Sequence, residues 1–374
     1  MALEQMRGGA GPSPGRAGPG PRSWRQRAGL LEPVLRWESA LVVALIAVIL
    51  LGTSISPQFT SSYNLFTTCT NIGDLAIMAL PMTLIIITGE IDLSVASVLA
   101  LSAELMGDLW IHHWSMPLII VVCLLMGTLA GAVNGFLVTR VGLPSLAVTI
   151  GTLTLYRGLA NVVLGPISVS SFPASYTGVG VNGFLGIPSI SWSVAVFVIL
   201  AIATGVMLRM TGLGRSLYAI GLNQEAAFHA GIRVKRIKMS LFVLSGLVCA
   251  AVGILYAFEL ASAAENIGIG FELQVITIVL LGGVSIFGGR GSILGVALAA
   301  AVYALLRAAL LLTSSFNEND FQVVSGGLLI LSVLVPNLAT FARRGRRLGG
   351  GRIGARWLRR SAWPPWTSAP RAAG

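Results

Sequence analysis

The chain has 374 residues, of which 55% are hydrophobic and only 10% charged, with a formal net charge of +11. Soluble domains carry roughly 25% charged residues, so this composition cannot solvate a globule of such length and excludes a soluble fold. Long unbroken apolar runs and a mean hydropathy of +0.84 describe an all-α, polytopic membrane protein.

A helix needs about 20 apolar residues to cross the hydrocarbon. Ten stretches qualify, near 39–56, 72–88, 92–109, 117–139, 144–164, 190–209, 239–260, 271–288, 291–312 and 321–340. Within 72–109, Pro81 and the run Gly89-Glu90-Ile91-Asp92 interrupt the pattern, so one half is a candidate for a re-entrant or unwound segment. Lys and Arg collect on the cytoplasmic side of membrane proteins. Here they fill the segment before the first span (Arg7 to Arg36), the segment 209–238, and the tail from Arg343 to Arg371. Arg140 and Arg290 fall on the same side, whereas the gaps 57–71, 110–116, 165–189, 261–270 and 313–320 hold no Lys or Arg. Ten spans with both termini cytoplasmic satisfy this alternation.

Residues 1–38 and 342–374 are Gly-, Pro- and Arg-rich without hydrophobic periodicity, and read as disordered basic tails drawn to anionic headgroups. They flank a transmembrane domain over 39–341. The positive charge thus reads as topology rather than as nucleic-acid binding. The run from Ala40 is long enough to span and lacks a clear cleavage site, so no cleavable signal is expected.

Several chemistries are missing. No Gly-x4-Gly-Lys-Ser/Thr phosphate loop occurs, so the chain has no such device for ATP. Its three histidines form no His-Glu-x-x-His motif. Cys69, Cys123 and Cys249 are scattered, without metal-ligand or disulfide spacing. Neither a metal, a bound cofactor nor a catalytic residue is expected.

Four segments carry information. Glu90, Asp92 and Ser94 interrupt apolar sequence. A carboxylate in the membrane centre costs about 2.5–3.5 kcal/mol, which asks for a reason. Asp92 either caps the following helix, with Glu90 at the interface, or both line a translocation path through a broken helix. On one helix they would point about 200° apart, which disfavours a shared-proton dyad. Gly127-x3-Gly131-x3-Gly135 forms a groove for close helix approach, with Asn134 beside it in need of a polar partner. Thr149, Thr152 and Arg157 follow in the next span as further pathway candidates. The run from Gly282 and Gly283 to Gly288, Gly289 and Gly291 suits a tight structural turn. Finally, 219–236 is the one sizeable basic-side loop between spans. Asn223 suits an N-cap, Glu225, Ala226 and Ala227 a short helix, and Gly231 its C-terminal turn.

Together these motifs resemble the membrane permeases of bacterial ATP-binding-cassette importers for monosaccharides, of the ribose, xylose, rhamnose and autoinducer-2 type. Gly89-Glu90-Ile91-Asp92-Leu93-Ser94 is similar to the family's Gly-Gly-Ile-Asp-Leu-Ser, and Asn134-Gly135, Pro144-Ser145 and Arg157-Gly158 match family pairs. Ala219-Ile220-Gly221, Asn223, Ala226-Ala227 and Gly231-Ile232 resemble its ATPase-coupling loop, and Gly282-Gly283 with Gly288-Gly289-x-Gly291 its late glycine motif. The likeness spans about 40–340. Glu90 and Ala96 depart from it, each replacing a usual glycine. The resemblance implies ten spans in a fold like that of the vitamin B12 importer. It also implies a second permease subunit, identical or different, a cytoplasmic ATPase that uses the ATP, and an extracellular sugar-binding protein. A bacterial plasma-membrane location follows. An ion-coupled secondary transporter, with Glu90, Asp92, Glu104 and Asp108 as relay, is the main alternative; a non-transporting scaffold leaves the glycine core and basic loop without use.

Overall fold

The computed structural model describes residues 24–187, 189–313 and 315–349. It is all-helical apart from one isolated antiparallel bridge, Val169 to Ala263. In chain order the helices are α1 (Trp24–Ile55), α2 (Ser62–Ile87), α3 (Val95–Ile111), α4 (Met116–Phe136), α5 (Ser145–Leu164), the single turn α6 (Ala174–Thr177) and α7 (Trp192–Met210). Then follow α8 (Gly212–Leu222), α9 (Gln224–His229), α10 (Val234–Glu259), α11 (Phe271–Leu281), α12 (Ile293–Leu311) and α13 (Glu318–Gly349). A π-helical turn, Leu137–Val141, extends α4 and ends on left-handed Gly142.

Seven helices among the described residues are long and apolar enough to cross a membrane. Each of the ten expected spans coincides with a helix, but three are not among these seven. Helices α3, at 17 residues, and α11, at 11 residues, are short, and α13, at 32 residues, is long but carries an Arg-rich end after its apolar part. The expected span 271–288 stops at Leu281, because Gly282 and Gly283 turn the chain away. The expected span 72–88 instead begins ten residues earlier, at Ser62, where Ser61 caps the helix by accepting from the Asn64 amide. Pro81 sits inside this helix without ending it.

The tails also differ from expectation. Helix α1 starts at Trp24 and α13 runs to Gly349, so 24–38 and 342–349 are helical. Once a helix is nucleated, each further residue adds a hydrogen bond at little cost, which lets both continue past their apolar cores. Residues 1–23 and 350–374, the rest of the expected tails, lie outside the described residues.

The core is built by close approach of small residues. The stripe on α4 packs on α10: a Cβ at Gly127 would lie 2.3 Å from Ala250 Cβ, and one at Gly131 2.2 Å from the Phe242 carbonyl oxygen. Gly246 returns the contact, 2.1 Å from the Gly127 oxygen. Lipid is as apolar as leucine, so such contacts act through van der Waals packing rather than hydrophobic burial. Helix α2 runs through the centre, buried continuously from Ile72 to Ile87. Around it α1, α4, α5 and α7 present Leu50, Leu125, Leu155 and Ile199 outward, as lipid-facing helices do.

Candidate functional site

At the basic end of the bundle three sequence-distant segments meet. Helix α2 ends at Ile87 with Thr88 as its C-cap, and Gly89, at φ +82°, turns the chain into the break before α3. The Gly289 amide donates to the Ile87 carbonyl at 2.8 Å, which seats the glycine loop on the end of α2. Gly221, near the end of α8, touches both: a Cβ there would lie 1.9 Å from the Ile87 oxygen and 2.3 Å from the Gly289 nitrogen. Gly288, at φ +79°, closes the group, with its Cβ direction 2.9 Å from the Gly89 nitrogen. Only glycine tolerates both the left-handed backbone and this spacing. Tyr218 adds a 2.9 Å hydrogen bond to the Gly291 carbonyl, and burial raises its hydroxyl above the ordinary range, partly offset by Arg209.

The short helix α9 follows directly. Asn223 accepts from the Ala226 amide at 2.9 Å, the expected cap. Glu225 lies in the first turn, Ala226 is exposed, and Gly231 takes φ +83° as the terminating residue. Ala227 is buried against Ile220 and Val234, which fixes the face α9 turns to the bundle. Leu222, Phe228 and Phe287 remain largely exposed on the same end. Gly282 and Gly283 sit farther along the late glycine run: Gly282 against Val296, Gly283 against Trp37, whose indole donates to Leu281 at 2.9 Å. Gly291 packs beside Val284 and Ile87.

The pathway candidates divide. Asp92, Ser94 and Asn134 come together in one buried network. The Asp92 carboxylate accepts from the Ser94 amide at 3.0 Å and hydroxyl at 2.6 Å, and from Ser245 of α10 at 2.9 Å. Ser94 in turn accepts from the Asn134 side-chain amide at 2.8 Å, and Tyr156 of α5 donates to the Ala130 carbonyl and Asn134. Asp92 is 2% exposed and Asn134 0%. Satisfied networks of this kind fix a unique packing. Ser94 opens α3 without a side-chain cap, so Asp92 shapes the turn into the helix rather than capping its N-terminus. Glu90 stands apart, 2.5 Å from the ammonium of Lys238.

Arg157 lies elsewhere. Beyond α10 the chain turns inward at Ala261, and its guanidinium holds this segment by donating to the Ile267 carbonyl at 2.5 Å and the Gly268 carbonyl at 3.3 Å. Beside that clamp is a cavity of about 290 Å³ lined by Leu153, Arg157, Asn161, Glu265, Asn266 and Glu272 among others. The Asn161 side-chain oxygen is buried there without a hydrogen-bond partner. Thr149, on the same helix, donates to Ser145 within its own backbone.

Sequence reasoning missed Lys238, Ser245, Tyr156 and the polar residues 265–272. Lys238 had a signal, as one of the chain's two lysines at the start of an apolar run. Ser245 and Tyr156 had none, since isolated hydroxyls in spans commonly bond their own helix. Among the described residues, no group of three or more His, Cys, Asp or Glu could hold a metal.

Long apolar helices packed through glycines, a polar cavity at one flank and an ordered basic-end junction define a multi-pass membrane transport component. The chain belongs to the family described as "Branched-chain amino acid transport system / permease component", whose model matches residues 64–333. It is similar to the autoinducer 2 import system permease protein LsrC of Escherichia coli (strain K12 / DH10B), with 34% identity over 298 residues, 79% of this chain and 85% of that protein. It is also similar to the autoinducer 2 import system permease protein LsrD of Salmonella typhi, with 31% identity over 304 residues, 80% of this chain and 90% of that one. No solved structure matches it.

Proposed function

We propose that this chain is the membrane-spanning subunit of an ATP-binding-cassette importer for a monosaccharide or a similarly small polyhydroxylated solute. The observation that carries the reading is the convergence of α9, the α2–α3 break and the glycine loop at one basic junction. A partner ATPase docked on α9 and on exposed Leu222, Phe228 and Phe287 would act directly on a break in the central helix. The ATP is used by that ATPase, and this chain carries no cofactor of its own. In the full reading α3, α11 and α13 complete ten spans in a fold like the vitamin B12 importer's, with both termini cytoplasmic in a bacterial plasma membrane.

Charged side chains at membrane depth face a bundle interior or a water-filled path, not lipid. The Arg157 cavity therefore marks the face on which a second permease subunit, identical or different, encloses the translocation path. Its guanidinium, two amides and two carboxylates suit hydroxyl groups, while Leu153 and Ile269 suit the C–H face of a sugar ring. An aliphatic amino-acid side chain would be matched by a more apolar pocket. An extracellular binding protein delivers the solute to the opposite end, which lacks Lys and Arg between spans.

Ion-coupled secondary transport has one observation in its favour: the carboxyl groups of Asp74 and Glu259 are buried against each other, and the Glu104 carboxyl oxygens are buried without a hydrogen-bond partner. The relay expected for it is broken, however, since Glu90 pairs with Lys238, Asp92 is held by serines, and Asp108 pairs with His112 at 3.5 Å. Purification from the native membrane decides between the two. Recovery of an ATPase with a sugar-binding protein, and uptake only in their presence, is the expected result. Uptake by this chain alone in liposomes would overturn it.

A further inference from the structure

Glu90 occupies a position where the family resemblance calls for glycine, so its side chain calls for a structural account. The side chain of Lys238, one turn into α10, reaches two oxygens at 2.5 Å each: Glu90 Oε1 in the α2–α3 break and Gln224 Oε1 at the start of α9. Lys238 and Glu90 side chains are only 6% and 18% exposed, so solvent screens this pair far less than a surface pair. An ammonium has three donors and no acceptor, so one lysine can hold both partners at once. Glu90 is two residues from Asp92, which is fixed to α10 through Ser245 and to α4 through Ser94 and Asn134. A connection thus runs from the first residue of α9 through Lys238 to Glu90 and, along the backbone of the break, to the buried Asp92 network. Gly221 offers a separate route by backbone contact alone, but no other side chain joins α9 to the break in the hydrogen bonds of the described residues.

We propose that Glu90 is a positioning residue for transport: through Lys238 and Gln224 it ties the coupling helix α9 to the α2–α3 break, so that displacement of α9 by an ATPase is carried to the polar core. This rests on the ATPase-driven reading above. A pair that merely held helices together could be replaced by any interaction of equal strength. A transmitting pair must stay engaged while α9 moves, which a charge pair does over a longer range than a packing contact. The charges can also be exchanged. In E90K/K238E the attraction is kept, and Gln224 turns its amide to donate to the new carboxylate, since its side chain carries both oxygen and NH2.

The test uses the full chain in nanodiscs, in complex with the ATPase that co-purifies with it. Cys69→Ser removes the half-buried native thiol, and Asn161→Cys in the Arg157 cavity reports its accessibility to a charged maleimide. Labelling is followed without nucleotide and with ATP plus vanadate. The parent complex should change its labelling rate by about 5-fold or more, in the usual range for coupling between sites. E90Q and K238M should lose most of that change while still binding ATPase and nucleotide, and E90K/K238E should regain it. Retention of the full response in E90Q, or an assembled charge-exchanged complex that fails to respond, would overturn the proposal. If E90Q does not assemble, K238M and the exchanged pair decide by the same criterion. A parent complex with no nucleotide response would instead bring down the ATPase-driven reading itself.

Discussion

Ser245 of α10 donates a 2.9 Å hydrogen bond to Asp92, 153 positions earlier in the chain, and both residues are almost wholly buried. That bond joins the break in the central helix to the helix that leaves the basic loop. It explains how a carboxylate is tolerated here: each oxygen has a hydroxyl or amide donor, so the charge is hydrogen-bonded rather than bare.

Asp92→Asn should therefore be mild. Asparagine keeps an acceptor for Ser94, and the Ser245 hydroxyl can reverse to accept from the new amide, so a loss of about 1 kcal/mol or less is expected. Asp92→Ala leaves those donors unpaired and should cost roughly 1–3 kcal/mol for each group stranded. Thermal unfolding of the purified chain compares them. Equal losses in the two variants would show that the negative charge itself is required.

Gly221→Ala puts a methyl 1.9 Å from the Ile87 carbonyl oxygen, and backbone cannot yield as a flexible side chain would. The end of α8 must move away from α2 and the glycine loop, at roughly 1–3 kcal/mol as for other overpacked sites. Gly205→Ala is the matched control, since its nearest neighbour would be Ile293 Cβ at 4.0 Å. Unfolding midpoints should fall for the first and hold for the second; similar midpoints would remove the junction's close packing from the account.

Two substitutions probe α9. Ala227→Asp sets a carboxylate among Ile220 and Val234, and Gly231→Pro imposes a φ near −65° where the chain has +83°. Both should leave the helix content of the spans intact while ATPase retention on purification falls by roughly tenfold, the equivalent of about 1.4 kcal/mol. Undiminished retention in both would place the ATPase on another surface.

Arg157→Lys tests the clamp on the inward-turning segment. A guanidinium reaches the Ile267 and Gly268 carbonyls together, whereas an ammonium is a single point on a flexible stem. Charge-assisted bonds contribute about 1.5–3 kcal/mol each, so even this conservative change should loosen 264–270. Faster amide hydrogen exchange over those residues and reduced uptake are expected, with ATPase assembly preserved. Unchanged exchange would show that the segment is held by its packing, for instance of Gly268 against Leu99, and not by the clamp.

Apolar run length and the alternation of basic gaps determine the membrane class and a helix at each of the ten expected spans. Cap and turn residues determine the short helix after Asn223, while α6 and α8 were not announced. These are local properties: hydrophobicity per residue, Asn as a cap, glycine as a left-handed turn. The glycine stripe on α4 likewise announces a close helix neighbour, though not that the neighbour is α10. Extents were less legible, because α11 ends where Gly282 and Gly283 meet Val296 and Trp37, partners far away in sequence. The site was legible as residue types and not as groupings. Nothing near Glu90 in the chain points to Lys238, nothing near Asp92 to Ser245, and Arg157 sits between candidates it never joins. Those pairings arise only when helices pack, since a polar group taken out of water must find its partner among whatever the bundle brings within about 3 Å. Sequence decided which groups would need partners, and tertiary packing decided which partners they have.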